Sequence, residues 1–241
     1  DIANHERTLD DPTCRTLAGT LRTGGDAELG LLLAAGTLVN DAELEGAEGS
    51  FRAAGDPTEG ALVVAAAQCG LRKDALASAA PRIMELPFDS DRKRMTTVHE
   101  VRGTLPGLPA GSRYVGFTKG SVDGLLHQST HVWDNGAAVP LNETFRHRIE
   151  EANAKWARAG MRVLAMAFRI HPDKPVRSDG DLERDLVFIG LVGMIDPPRP
   201  EVKQAVAVCR TAGIRPIMIT GDHPLTALAI ARDLGIAGPG D

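Results

Sequence analysis

Several places in the sequence combine residue types suited to handling a flat, negatively charged ligand. In ELPFDSDRKRMTTV, residues 85–98, an aromatic ring stands between two apolar runs and is followed by Arg92, Lys93 and Arg94. At a strand end Phe88 is either a core residue or a platform on which something flat stacks while the three cations meet negative charge. Lys119 and Gly120 occur as TKGS at the end of another apolar run. A lysine there is solvated by default and becomes a ligand-holding cation only if it enters an apolar pocket. Glu59 stands three residues after Asp56, so its carboxylate either closes a helix capping box or accepts a hydrogen bond from an exocyclic amine. Arg162, one residue into an apolar strand, points outward by alternation or reaches a phosphate with its planar fork. Thr220, Gly221 and Asp222 lie in ITGDHP, a turn from strand to helix. Open α/β sheets bind ligands at such turns, and free N–H groups there favour anions; alternatively Asp222 only caps the helix and Gly221 only permits the turn.

The ordinary signatures of nucleotide chemistry are missing. The sequence has no GxxxxGK[ST] run and no GxGxxG after a strand. Its histidines show no HExxH or other metal spacing, and Cys14, Cys69 and Cys209 form no CxxC pair. A disulfide framework and a zinc site are therefore not expected, and a reducing setting fits. The 241 residues carry a formal net charge of -5 and a pI near 5.8, which argues against a dedicated nucleic-acid binder. With 43% apolar residues the chain can bury a proper core, as one large domain or two smaller ones. Its most apolar stretches fall well short of a membrane span, and the first residues lack the basic start and apolar centre of a signal peptide.

The elements that must position these residues are legible in outline. Residues 29–40 predict a helix, followed by a Gly/Glu/Ala-rich loop up to Gly55. DPTEGALVVAAAQCGL starts a second helix, with Asp56 as N-cap, Pro57 in the first helical position, Glu59 in the capping-box place and Gly70 as the stop. Pro87 biases Leu86 toward extended geometry, and the Asp-Ser-Asp cluster reads as a hairpin turn. A Gly/Pro loop leads to the strand RYVGFT, and KGSVDGLL turns that strand into a short helix. Residues 142–159 predict a longer helix with Phe145, Ile149, Ala152 and Trp156 on one face, which makes Trp156 a core residue. MRVLAMAF and DLVFIGLVGMI predict strands. Beyond DPPRP come a helix presenting Val202, Ala205, Val206 and Cys209, the strand RPIMIT, and the helix LTALAIARDLG. That αβα run implies a parallel sheet, so two domains are expected, the second incomplete.

Taken in order, DPTEGAL, PFDSDRKRM, TKGSVDGLL, MRVLAMAF, VGMIDPPRPEV and MITGDHPLTALAIARDLGI resemble the cytoplasmic region of a P-type cation-transporting ATPase, closest to the type II, calcium-pump-like members. The resemblance implies an α/β fold: residues 1–195 an α+β nucleotide-binding domain with a twisted antiparallel sheet flanked by helices, and residues 196–241 part of a haloacid-dehalogenase-like phosphorylation domain. It implies that Phe88 stacks on adenine, Glu59 lies near the adenine amino group, Lys93, Lys119 and Gly120 border base and phosphates, and Arg162 reaches the phosphate chain. Some members place an arginine where Ser90 stands. Asp196 and Arg199 match the ends of the DPPR hinge, and Thr220, Gly221 and Asp222 match the phosphate-side loop.

The same resemblance implies ATP, with Mg2+, as the ligand of a parent enzyme that forms and hydrolyses an aspartyl phosphate to move cations. The partners would be the rest of the phosphorylation domain, an actuator domain and membrane helices, at the cytoplasmic face of a membrane. The family's Asp-Lys-Thr-Gly-Thr and Gly-Asp-Gly-x-Asn-Asp runs do not occur in the sequence. The chain is therefore expected to be a fragment that binds ATP or ADP without turning it over. Two other readings follow from the residues alone: a haloacid-dehalogenase-class phosphatase, suggested by ITGD, and a regulatory domain without nucleotide.

Overall fold

Alternation along one long strand separates the two larger cores among the described residues. In the computed structural model, which describes residues 27–46, 50–176, 182–195, 200–220 and 224–238, the strand β8 (Arg162–His171) sends Ala165 and Ala167 to one side and Met166 and Phe168 to the other. Successive strand side chains face opposite ways, so a central strand must be apolar on both faces when both are covered.

The elements before β8 are α1 (Ala27–Leu38), β1 (Glu43–Glu45), β2 (Arg52–Ala54), α2 (Pro57–Gln68), α3 (Lys73–Ala79), β3 (Arg82–Asp89), β4 (Arg94–Glu100), β5 (Tyr114–Gly120), α4 (Val122–Gln128), β6 (Ser129–Asp134), β7 (Ala137–Pro140) and α5 (Glu143–Arg158). After it come β9 (Leu186–Met194), α6 (Pro200–Thr211) and α7 (Pro224–Asp233). Seven strands form one sheet in the order β3-β4-β5-β8-β9-β6-β7. Its pairs are antiparallel except β6 with β9.

One core lies where α1, α2 and α3 cover the sheet, with Leu31, Leu62 and Leu76 against Phe117, Met166 and Phe168. The other lies under α4 and α5, where Leu125 and Ile149 meet Ala165, Leu186 and Phe188. A sheet between two helical layers is the expected mixed α/β arrangement.

Local chemistry explains the element ends. Asp56 caps α2, accepting from the Thr58 and Glu59 N–H groups at 2.9 and 3.1 Å, with Pro57 opening the helix. Asn142 caps α5 through the Phe145 N–H at 3.0 Å. The hairpin turn between β3 and β4 closes with the Lys93 N–H on the Asp89 carbonyl at 2.7 Å, and Lys93 takes φ 51°.

Several expectations need correction. Residues 41–55 are not simply a loop: β1 and β2 form a small antiparallel ladder. Helix α3 was not foreseen, because its seven residues hold one buried side chain, Leu76, and so show no apolar period. Trp156 is half-buried and lies against Gly193, where a Cβ would come within 3.0 Å of its ring. The strand RPIMIT does not form. Residues 214–220 carry no regular secondary structure, and Ile217 is 78% and Ile219 94% exposed. With no strand between α6 and α7, the αβα run builds no parallel sheet among the described residues. Instead α6 and α7 join through Lys203 to Asp233 at 3.1 Å and Arg210 to the Gly235 carbonyl at 2.6 Å. Helix α7 is tied to the start of β8 by the Thr226 hydroxyl, which donates to the Met161 carbonyl at 2.9 Å.

Candidate functional site: a cleft at the ends of β3, β5 and β8

The cleft is built where three strands end beside the first turn of α2. On β5, Val115 and Phe117 face the core under α1 and α2, so by alternation Lys119 continues that face to the edge of the core. The side chain arrives beside the first turn of α2 and its ammonium donates to Glu59 Oε1. The other oxygen, Oε2, accepts from the Asp41 N–H at 2.9 Å, and the Asn40 amide donates to the Glu59 carbonyl at 2.9 Å. Glu59 thus does not complete a capping box. Its carboxylate turns into the cleft because a buried ammonium needs a partner more than an exposed N-cap N–H does.

Lys119 is 7% exposed. Burial pulls its pKa below the usual lysine value, and the hydrogen bond and negative charge of Glu59 work in the opposite direction. Next to it, Gly120 has no room for a side chain: a Cβ would lie 2.6 Å from the Lys93 carbonyl oxygen and 2.7 Å from Arg94 Cβ. That close approach lets the Ser121 N–H reach the Lys93 carbonyl at 3.0 Å, locking the β3–β4 turn to the end of β5.

Phe88 stands near the end of β3 and is 63% exposed, which excludes the core reading. Arg162 opens β8 and donates from Nη1 to the Thr58 hydroxyl at 2.7 Å. Phe88, Lys93, Glu59, Lys119, Gly120 and Arg162 all line one cleft of about 780 Å³. It presents an exposed ring, three cationic side chains and the carboxylates of Asp56, Glu59 and Asp123 to one volume, an arrangement able to stack a flat heterocycle and hydrogen-bond its polar edges.

Arg92 and Arg94 do meet negative charge, but it is the protein's own. Both guanidinium groups bond Glu183. Thr220 is exposed and is not among the described residues lining the cleft, while Asp196, Arg199, Gly221 and Asp222 lie outside the described residues. Thr58, Asp123 and Asn153 line the cleft and were not singled out from sequence. Asn153 carried a usable signal, being the polar residue four positions after Ile149 on the buried side of α5. Among the described residues no group of three His, Cys, Asp or Glu side chains could hold a metal ion, and no helix is long and apolar enough to cross a membrane.

Comparison with known proteins agrees with this architecture. The family described as "P-type ATPase, cytoplasmic domain N" matches residues 28–201. The chain belongs to the P-type ATPases. It is 49% identical over 183 residues to "Calcium-transporting ATPase 1" of Bacillus cereus, covering 76% of this chain and 20% of that protein. It is 43% identical over 211 residues to "Cation-transporting ATPase pma1" of Synechocystis, covering 87% of this chain and 22% of that protein. To the "Sodium/potassium-transporting ATPase subunit alpha" of Tetronarce californica it is 37% identical over 196 residues, covering 78% and 19%. The chain therefore spans about a fifth of the length of these P-type ATPase relatives.

Proposed function

We propose that this chain is the ATP-binding cytoplasmic part of a cation-transporting pump, and that the cleft holds the adenine nucleotide. The observation that carries the proposal is the pairing of an exposed Phe88 ring with a buried Lys119 ammonium on one cleft. Exposing a phenyl ring to water is unfavourable unless something covers it, and burying an ammonium is unfavourable unless something pairs with it. An adenine nucleotide supplies a flat face for the ring; the ammonium is already paired with Glu59 and adds positive charge beside the place where the nucleotide's phosphates would lie.

In this reading residues 1–195 are the nucleotide-binding domain and residues 196–241 part of the phosphorylation domain. Glu59 accepts from the adenine amino group, Lys93 and Lys119 border base and phosphates, and Arg162 turns from Thr58 toward the phosphate chain. Asp196 and Arg199 form a hinge, and Thr220, Gly221 and Asp222 the phosphate side. ATP would phosphorylate an aspartate outside this sequence, with the remaining phosphorylation domain, an actuator domain and membrane helices as partners at the cytoplasmic face. Mg2+ would arrive with the nucleotide's phosphates, its usual carrier.

Calorimetric titration of the 241-residue chain with ATP tests the proposal. Saturable one-to-one binding is expected, and absence of binding at millimolar ATP would overturn it.

A further inference from the structure

We infer that Glu183 is a positioning residue for the nucleotide: a buried carboxylate that sets the Phe88 turn from behind through Arg92 and Arg94. The inference rests on the nucleotide reading of the cleft. Glu183 precedes β9 and is 7% exposed. Its oxygens accept from Arg92 Nη1 at 2.5 Å, Arg94 Nε at 2.7 Å and the Thr96 hydroxyl at 2.9 Å. Burial pushes the carboxyl up, yet the bonds from Arg92, Arg94 and Thr96 outweigh it and hold the group below the usual range, as a carboxylate.

The two arginines carry this anchor to the turn. Arg92 Nη2 donates to the Pro87 carbonyl at 2.8 Å, fixing the peptide that leads into Phe88. Arg94 Nη1 donates to the Arg92 carbonyl at 3.1 Å, fixing the peptide that leads into Lys93. Both cleft residues of the turn are therefore held one bond away from Glu183 through a guanidinium. Thr96 also pairs with the Thr118 hydroxyl at 2.9 Å, extending the tie to the residue before Lys119.

A buried ion cluster is a poor way to gain stability, because desolvation offsets most of the attraction. It is a good way to hold a short exposed turn in one geometry. Asp89 bonds the N–H groups of Asp91 and Arg92 within the turn at 3.0 and 2.8 Å, which shapes the turn but does not fasten it to the sheet. The Ser121 N–H on the Lys93 carbonyl fastens the Lys93 side of the turn to β5, and Glu183 adds a second fastening, which also reaches the peptide before Phe88, from a segment distant in sequence.

Glu183→Gln tests the role, since it keeps the size while presenting an amide N–H to an arginine. In the free protein, amide exchange at Phe88 and Lys93 should rise about tenfold, with β8 and β9 unchanged. AMP affinity should fall about tenfold, and in a Phe88→Ala background the same substitution should change AMP affinity less than twofold. Arg92→Ala, which leaves the Glu183–Arg94 bond in place, should reproduce the exchange at Phe88. Unchanged exchange at Phe88 and Lys93 would overturn the inference whether or not nucleotide binds. Faster exchange with unchanged AMP affinity, or an undiminished effect in the Phe88→Ala background, would also overturn it while leaving the nucleotide reading intact. A wild-type chain that does not bind AMP would remove the nucleotide reading and the positioning role together.

Discussion

The Lys119 ammonium donates to Glu59 Oε1, joining the end of β5 to the first turn of α2 at the inner edge of the cleft. Because both side chains are largely shielded, at 9% and 16% exposure, each depends on the other. Lys119→Met and Glu59→Gln should each destabilise the fold. Together they should cost less than the sum, with a coupling of about 1–2 kcal/mol, because the double variant leaves no unpaired charge. Urea unfolding of the four proteins measures this; additive effects would show that the pair is not coupled.

Phe88→Ala should weaken adenine nucleotide binding by about 1–3 kcal/mol, the scale of one aromatic–base stack. An exposed ring contributes little to the core, so the melting temperature should stay within a degree or two of wild type. Calorimetry with AMP and thermal melts check both halves.

With Arg92 and Arg94 held by Glu183, the described lining residues of the cleft keep Lys93, Lys119 and Arg162 as cations, balanced by the carboxylates of Asp56, Glu59 and Asp123, so little net positive charge faces a longer phosphate chain. ATP, ADP and AMP should therefore bind with similar affinities. Ser90 is exposed in the same turn, and Ser90→Arg should strengthen ATP binding several-fold while leaving AMP nearly unchanged. Equal gains for both nucleotides would place the new guanidinium away from the phosphates.

Acid should weaken the fold through His99. Burial lowers its pKa from 6.5 to about 4, with its ring nitrogens on the Ala80 carbonyl and Thr97 hydroxyl. The folded pKa lies below the unfolded one, so the stabilising contribution is fully present above pH 6.5 and is lost as pH falls toward 4. The shift corresponds to about 3 kcal/mol. Urea unfolding at pH 7.5 and 4.5 should show a smaller acid loss in His99→Gln than in wild type, whatever that variant's stability at neutral pH.

Much of the fold was legible because its signals are local. Asp56 with Pro57, Asn142 with the apolar face of α5, and the Asp-Ser-Asp turn each carry their meaning within a few residues. The cleft was legible in its residue types, and the ring of Phe88 was left open between core and surface until its exposure was known. The rest depends on pairing at a distance. RPIMIT has the composition of a strand but no described neighbour to complete its ladder. Glu59 has the position of a capping box, yet its carboxylate goes to Lys119, 60 residues away. Glu183 gave no signal, because nothing around it in sequence indicates the two arginines 91 and 89 residues earlier.

In the proposed function an adenine nucleotide occupies this cleft. Amide chemical-shift mapping of the free chain during titration with AMP tests it most directly. Saturable shifts are expected at Glu59, Phe88, Lys93, Gly120 and Arg162, all fitting one dissociation constant. Shifts that saturate elsewhere on the sheet while these residues stay unmoved would contradict it.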